Sequence, residues 1–116
     1  MWRLHVPIPT PSLNQIQGKH WTTVRALNQN MKLAVMVALA GVQVPKAEGK
    51  RKLAITRHGK GTLDADNLAG GCKGLIDALK VRGVIQDDSP AHLEVSFKQV
   101  VTKDQPFTLV VIEEAA

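Results

Sequence analysis

LEVSFKQVVTKDQPFTLVVIEEA, residues 93–115, decides the fold class. In LEVSFKQVV (93–101) and FTLVVIEEA (107–115) apolar and polar side chains alternate with a period of two, which predicts two strands with one buried face each. TKDQP between them is a turn signal, so the pair is expected to form a β-hairpin. Upstream the period changes. Leu68, Cys72, Leu75, Ile76 and Leu79 recur at helical spacing up to Val81, and Gly83 supplies the stop. Gly70 and Gly71 each cost about 1 kcal/mol inside a helix, so the regular helix is expected to begin after them. KLAITRH (52–58) reads as a strand leading into the loop HGKGT. Thr22 or Thr23 is expected to cap a helix running to about Ala40, with Gly41 ending it and Val24, Leu27, Met31, Ala34 and Ala38 as its apolar stripe. WRLHVPIP at the N-terminus alternates like a strand, and Pro7 and Pro9 make it an edge strand or end it. The expected order is β-α-β-α-β-β: an α/β chain of the α+β type, one small domain over residues 1–116, with a mixed sheet and two main helices.

The length of 116 residues and 44% hydrophobic content suit one domain with a real core, and the 3% aromatic content makes that core aliphatic. The longest apolar run, LAVMVALAGV (33–42), is about half of the ~20 residues a membrane span needs, and no cleavable leader precedes it, so a cytoplasmic location and no membrane partner are expected. Residues 33–40 are apolar nearly all round the helix, and part of that surface is a candidate subunit contact. A single cysteine, Cys72, cannot form an internal disulfide. The four histidines show no zinc-type spacing.

The net charge of +5 conceals an asymmetry. Residues 1–60 hold ten Lys or Arg against one acid, Glu48, while residues 61–116 hold five basic and nine acidic groups. A basic half points to a polyanion and the acidic cluster beside it to a cation. Half of the ten acidic residues lie in LDADNLAGGCKGLIDALKVRGVIQDDS: Asp64, Asp66, Asp77, Asp87 and Asp88. If the chain is extended at Asp64 and Asp66, both carboxylates project to one side about 7 Å apart, and Asp87–Asp88 joins them only if the chain doubles back past the helix. Converging carboxylates without His or Cys suit Mg²⁺ or Mn²⁺, and phosphodiester hydrolysis is the common use of such a site. The competing assignments are structural: Asp64 as a turn residue, Asp66 or Asn67 as a helix cap, Asp87-Asp88-Ser89-Pro90 as an acidic turn. Lys73, four residues before Asp77, reaches either that carboxylate or a phosphate. DADNLAG lacks the ligands and the glycine of a calcium loop, and neither HGKGT nor GGCKG has P-loop spacing, so no nucleotide cofactor is expected.

D-x-D-N-L (Asp64, Asp66, Asn67, Leu68), then K-x-x-x-D-A-L (Lys73, Asp77, Ala78, Leu79), then G-x-x-x-D-D (Gly83, Asp87, Asp88) resembles the RusA family of Holliday-junction resolvases, and the opening strand running into PIPTPSLN resembles that family's Pro-rich start. The resemblance implies a small homodimeric, Mg²⁺-dependent endonuclease, with Mn²⁺ as a substitute, that resolves four-way DNA junctions by paired symmetric nicks in recombination and repair, in a bacterial cell and carried by a phage or prophage. It implies Asp64, Asp66 and Asp88 as the metal-binding carboxylates, Asp87 as a second-tier ligand, and Lys73 as the catalytic lysine. The interval from Asn67 to Lys73 is about three residues longer than in the family's best-known form, with AGG filling it. The glycines there allow a flexible turn or the approach of a phosphate to backbone N–H groups. Lys19, His20, Arg25 and Lys32 at the first helix, and Arg57, His58 and Lys60 before the acidic segment, are the expected DNA contacts. Trp21 is a candidate for base stacking, for the core or for an interface. The alternative is a junction-binding or DNA-packaging protein of the same fold that does not cut.

Overall fold

The computed structural model describes residues 1–115. The elements are β1 (Trp2–Val6), α1 (Leu13–Ile16), α2 (Trp21–Ala40), β2 (Arg51–Gly59), α3 (Ala65–Gly71), α4 (Lys73–Val81), β3 (Leu93–Val101) and β4 (Phe107–Glu114). The expected order β-α-β-α-β-β stands, with each helical place divided between two helices. One four-stranded mixed sheet runs in the order β1-β4-β2-β3, with α2 and α4 completing the core on one face of it and α1 packed against α3.

The hairpin is not formed. β3 pairs with β2 in parallel, Arg51 opposite Leu93 through Gly59 opposite Val101, and β4 pairs antiparallel with both β2 and β1. The reason is the crossover: β2, the α3–α4 pair and β3 form a βαβ unit, which sets β3 beside β2 in parallel and occupies that edge of β2. β4 then takes the other edge of β2. The turn TKDQP therefore bridges the end of β2, where Thr102 N–H donates to the Gly59 carbonyl at 2.8 Å and Lys60 Nζ donates to the Lys103 and Asp104 carbonyls, both at 2.9 Å. The central position suits β4, whose Thr108, Val110 and Ile112 are fully buried.

Leu4 and Val6 of β1, Leu53 and Ile55 of β2 and Val110 and Ile112 of β4 face the helices. Met31, Ala34 and Val35 of α2 and Leu75, Ala78 and Leu79 of α4 complete this aliphatic core. α4 ends as expected at Gly83, which takes the left-handed conformation (φ 78°). Gly83 N–H donates to the Lys80 carbonyl and Val84 N–H to the Leu79 carbonyl, both at 3.0 Å, the paired bonds of a Schellman motif.

Three local expectations are corrected. The cap of α2 is His20 rather than either threonine: its Nδ1 accepts the Thr22 N–H at 3.3 Å. Residues 13–16 of the supposed loop form a helical turn closed by a capping box between Ser12 and Gln15. The helix over 68–81 begins after the two glycines as expected, at Lys73, but Leu68 belongs to a separate helix that meets it at Cys72 and contains Gly70 and Gly71. A Cβ on Gly71 would collide with the Pro11 carbonyl and one on Gly70 with the Leu13 side chain, so the two glycines admit the chain segment that leads into α1. Gly71→Ala is expected to cost about 1–3 kcal/mol, because the obstacle is main chain and cannot turn aside; urea unfolding measures it.

The first residue of β2 holds the sheet to its connections. Arg51 is 1% exposed. Its Nε and Nη2 donate to Glu114 Oε1 at 3.0 and 2.9 Å, Nη1 donates to the Pro45 and Val84 carbonyls at 2.7 and 3.0 Å, and the guanidinium lies 4.9 Å from the centre of the Trp2 ring. Arg51→Ala leaves two carbonyls without their donor and is expected to destabilise the fold by about 3–5 kcal/mol. Arg51→Lys should recover only part of this, since an ammonium cannot reproduce the planar fork; chemical denaturation of the three proteins provides the check.

Candidate functional site

The N-terminal half of α2 presents a basic groove. Lys19 precedes the helix, and Trp21, Val24, Arg25, Asn28, Gln29 and Lys32 recur at intervals of three and four, so they share one flank of it. The cavity they line measures about 640 Å³ and contains three cationic side chains and no carboxylate. Trp21 is 64% exposed and tilts against the His20 ring at 5.7 Å, so it belongs to neither core nor cap. His20 is exposed as well, with its Nδ1 engaged in the cap.

Lys73 and Gly74 open α4 against this flank. A Cβ on Gly74 would stand 2.8 Å from Asn28 Oδ1, so the start of α4 packs directly on a residue of the groove. Lys73 is exposed and forms no ion pair with Asp77; among the described residues the ion pairs are Arg51–Glu114, Lys52–Glu94 and Lys80–Asp87.

The other expected phosphate contacts are more occupied. Arg57 is half-buried, its Nε donating to the Thr10 carbonyl at 2.8 Å. His58 stacks on Phe107 at 4.1 Å, and His5 stacks on the same ring at 4.3 Å. Lys60 is exposed but bridges the two carbonyls of the β3–β4 turn.

Asp64 and Asp66 do not lie on an extended strand. Asp64 is the N-cap of α3: one carboxylate oxygen accepts the Asn67 N–H at 2.9 Å and the other the Asn67 side-chain amide at 3.0 Å. Asp66 is exposed in the first helical turn, where a negative charge complements the helix dipole. The geometry of two carboxylates along one strand is thus replaced by a capping geometry, and the reason is local: Asp64 followed three residues later by a donor satisfies the orphan N–H groups of a helix start.

Asp87 and Asp88 stand elsewhere. Asp87 Oδ1 meets Lys80 Nζ in the last turn of α4 at 2.9 Å. Topology explains the separation. Asp64 follows the C-terminal end of β2, whereas Asp87 and Asp88 precede the N-terminal end of β3, and the two strands run parallel in register over nine residues, about 26 Å. Gly83 and Val84 are also tied to the starting end of β2, through the Ala47 N–H to Gly83 carbonyl bond at 2.9 Å and through Arg51. Among the described residues no three His, Cys, Asp or Glu side chains gather as a metal-holding group. The donor chemistry of Asp64 and Asp66 suits Mg²⁺, which is held by one or two carboxylates with water and phosphate oxygens completing its shell; Asp88 of the same chain is not their neighbour.

Cys72, at the joint between α3 and α4, is a core residue. Burial pushes its thiol up to about 11, and Sγ donates to the Leu68 carbonyl at 3.3 Å, so it is no nucleophile at neutral pH. The cap of α3 is Asp64 rather than Asp66 or Asn67, and Asp64 is no simple turn residue: Asn67 supplies the donors and Asp66 already lies in the first helical turn. The groove at Lys19, Arg25 and Lys32 was visible only in part, since Asn28 and the approach of Gly74 depend on how α4 packs.

The Lys80–Asp87 pair sets a titration. The Lys80 ammonium, with the Asp88 backbone N–H, holds the Asp87 carboxyl down at about 2 against an ordinary 3.8, and Asp87 raises Lys80 above its usual value. Asp87 therefore contributes to stability above its ordinary pKa, and the contribution is lost as pH falls through about 2. The Lys80 contribution is present below its ordinary 10.5 and is lost as pH rises through the raised value. Lys80→Gln should move the Asp87 titration back towards 3.8, which carboxyl ¹³C NMR reads directly. An unmoved Asp87 would mean that the pair does not form in solution.

Compared with known proteins, the chain matches no family model and no curated sequence.

Proposed function

We propose that this protein is a Mg²⁺-dependent, structure-selective endodeoxyribonuclease of the RusA type, acting as a homodimer on four-way DNA junctions in a bacterial cell. The observation that carries the reading is the α2 groove: Lys19, Arg25 and Lys32 surround an exposed Trp21 with no acidic residue among them, and the start of α4, with Lys73, packs at its wall. Cations without neighbouring carboxylates bind phosphate, and an exposed indole stacks on an unpaired base, as a junction enzyme that reads shape rather than sequence requires. The exposed carboxylates at the start of α3 and the ordered D-x-D-N-L, K-x-x-x-D-A-L, G-x-x-x-D-D motif support the cutting activity. When bound, the cation activates water and offsets charge on the scissile phosphate. Asp64 is held in orientation by both donors of Asn67, Asp66 is exposed to a ligand, and the exposed Lys73, next to the Gly74 that packs on Asn28, supplies a compact positive charge. A homodimer fits because two symmetric nicks need two centres related by a two-fold axis.

A second reading, a junction-binding or DNA-packaging protein that does not cut, is favoured by one observation. Within one chain Asp88 lies at the opposite end of the β2–β3 pair from Asp64 and Asp66.

Incubation with a synthetic four-way junction and a linear duplex, in Mg²⁺ or EDTA, separates the two. Cleavage of the junction only in Mg²⁺ is the expected result; tight binding with no cleavage under any divalent cation establishes the second reading. Asp66→Asn should lose cleavage while retaining junction affinity, because a ligand and a negative charge are removed without change of size. Lys73→Ala should fold normally and cut bound junction about 10² to 10³ times more slowly under single-turnover conditions. Arg25→Ala and Lys32→Ala should each weaken binding and lower the log–log salt slope by about one. Full Mg²⁺-dependent cutting by Asp66→Asn would remove the proposed site, and unchanged affinity in both groove variants would place the DNA on another face.

A further inference from the structure

The two edges of the sheet differ. β1 is five residues long and runs into Pro7 and Pro9, which blunt it. β3 is nine residues long, contains no proline, and is in unbroken register with β2 from Leu93 to Val101. Among the described residues no helix or strand other than β2 makes more than a slight contact with β3, and the loop before α3 reaches it at Gln99, whose side-chain amide exchanges hydrogen bonds with the Leu63 main chain at 2.8 and 2.6 Å.

The ladder shows which main-chain groups are free. Arg51 N–H donates to the His92 carbonyl and Thr102 N–H donates to the Gly59 carbonyl, so the even-numbered residues of β3 turn their N–H and C=O groups towards β2. The odd-numbered ones, Val95, Phe97 and Gln99 among them, turn theirs outward. The Leu93 N–H is taken by the Ser89 carbonyl, while its own carbonyl points out. A second antiparallel strand added here must match odd residues to odd residues.

Within that constraint one register is self-complementary. Centred on Ser96, it sets Val95 opposite Phe97 in hydrogen-bonded pairs and Glu94 opposite Lys98 in non-hydrogen-bonded pairs, where side chains are closest. Val95 and Phe97 are only part-buried in the single chain, and Glu94, Ser96 and Lys98 are exposed on the face that carries no helix. By two-fold symmetry the pairing forms the Glu94–Lys98 contact twice, with the two Ser96 residues meeting on the axis. A shift of two residues in either direction sets Lys98 against Ser96 or Glu94 against Ser96, and a shift of four sets like charges against each other. Among the described residues Glu94 has only a loose partner, Lys52 at 3.9 Å, and Lys98 forms no ion pair.

We infer that β3 is a self-pairing edge: two copies of this chain join antiparallel through Val95–Phe97, with Glu94 of each against Lys98 of the other, to make one continuous eight-stranded sheet. The occupant is a second copy rather than a foreign strand because the edge complements itself in charge and in hydrogen-bonding parity. The inference gives the proposed homodimer its contact and does not depend on the nuclease reading. The exposed α2 side chains Leu33, Met36 and Val37 supply apolar area but nothing that sets a register.

The test uses the full chain. Ser96→Cys places two thiols on the two-fold axis, in a non-hydrogen-bonded pair whose Cα atoms lie about 4.5 Å apart, within the range a disulfide spans. Mild oxidation should give a dimer on a non-reducing gel, while the buried Cys72 of the parent gives none. Sedimentation should show Lys98→Glu weakening the dimer by about tenfold, and Lys98→Glu combined with Glu94→Lys restoring it. Restoration by the double exchange separates cross-strand pairing from simple damage to the strand, and circular dichroism confirms folding of each variant. A parent that dimerises while Ser96→Cys fails to cross-link, or a dimer indifferent to Lys98→Glu and abolished by Val37→Glu, would put the contact on α2 and overturn the inference. A strictly monomeric parent would overturn it as well. A chain that cross-links at position 96 but cuts no DNA would uphold the edge and sink the nuclease reading alone.

Discussion

The guanidinium of Arg51 is the constraint on which most of the structure turns. It is the largest fully buried side chain, and its donors reach Glu114 at the end of β4, the Pro45 carbonyl in the α2–β2 connection and the Val84 carbonyl in the α4–β3 connection. A buried cation is tolerated only where paired and hydrogen-bonded, so the two connections and the end of β4 are obliged to converge on it. An apolar side chain of the same volume would fill the space without specifying which loop lies where. Arg51 supplies that specification, with the Trp2 ring against the guanidinium drawing in the start of β1.

The consequence reaches the acidic segment. Because Val84 is anchored at the starting end of β2, the chain after α4 enters β3 from that end, and Asp87 and Asp88 are held there beside Lys80. Asp64 and Asp66 follow the finishing end of β2. A parallel pair of strands joined by helices must work this way, since the crossover carries the chain back by the full length of the strand. The separation of the carboxylates and the adjacency of β2 and β3 are therefore two results of one topology. The same topology leaves β3 with one free edge and puts β4, the most apolar strand, in the interior of the sheet.

The helices are fitted to the sheet by small contacts that have no periodicity. Gly70 and Gly71 let Pro11 and Leu13 come down on α3, and Gly74 lets α4 close on Asn28. The second of these sets the first turn of α4, which Lys73 opens, against α2. The glycines that lengthen the interval before Lys73 form no flexible turn: they lie in α3 and serve packing of the N-terminal segment.

What the sequence by itself determined is what depends on near neighbours. Alternation in WRLHVPIP, KLAITRH, LEVSFKQVV and FTLVVIEEA marked four strands, helical spacing from Val24 to Ala38 marked α2, and Gly83 marked the end of α4, because each rests on a repeat or a φ angle that a few residues suffice to specify. The edge character of β1 was legible in its prolines for the same reason. The charge asymmetry held the basic face, while the cap of α3 was misplaced by two or three residues, on Asp66 or Asn67 instead of Asp64, because several adjacent residues of the segment are good caps and only the start of the helix selects one. The tertiary structure alone decided that β3 and β4 are not partners, that Leu68, Gly70 and Gly71 belong to a helix of their own before Cys72, that Arg51 is core rather than surface, and that Asp88 lies at the other end of the β2–β3 pair from Asp64. Each of these depends on groups tens of residues apart competing for the same edge or the same buried space. Local periodicity says which face of an element is apolar; it carries no information about which other element will cover that face.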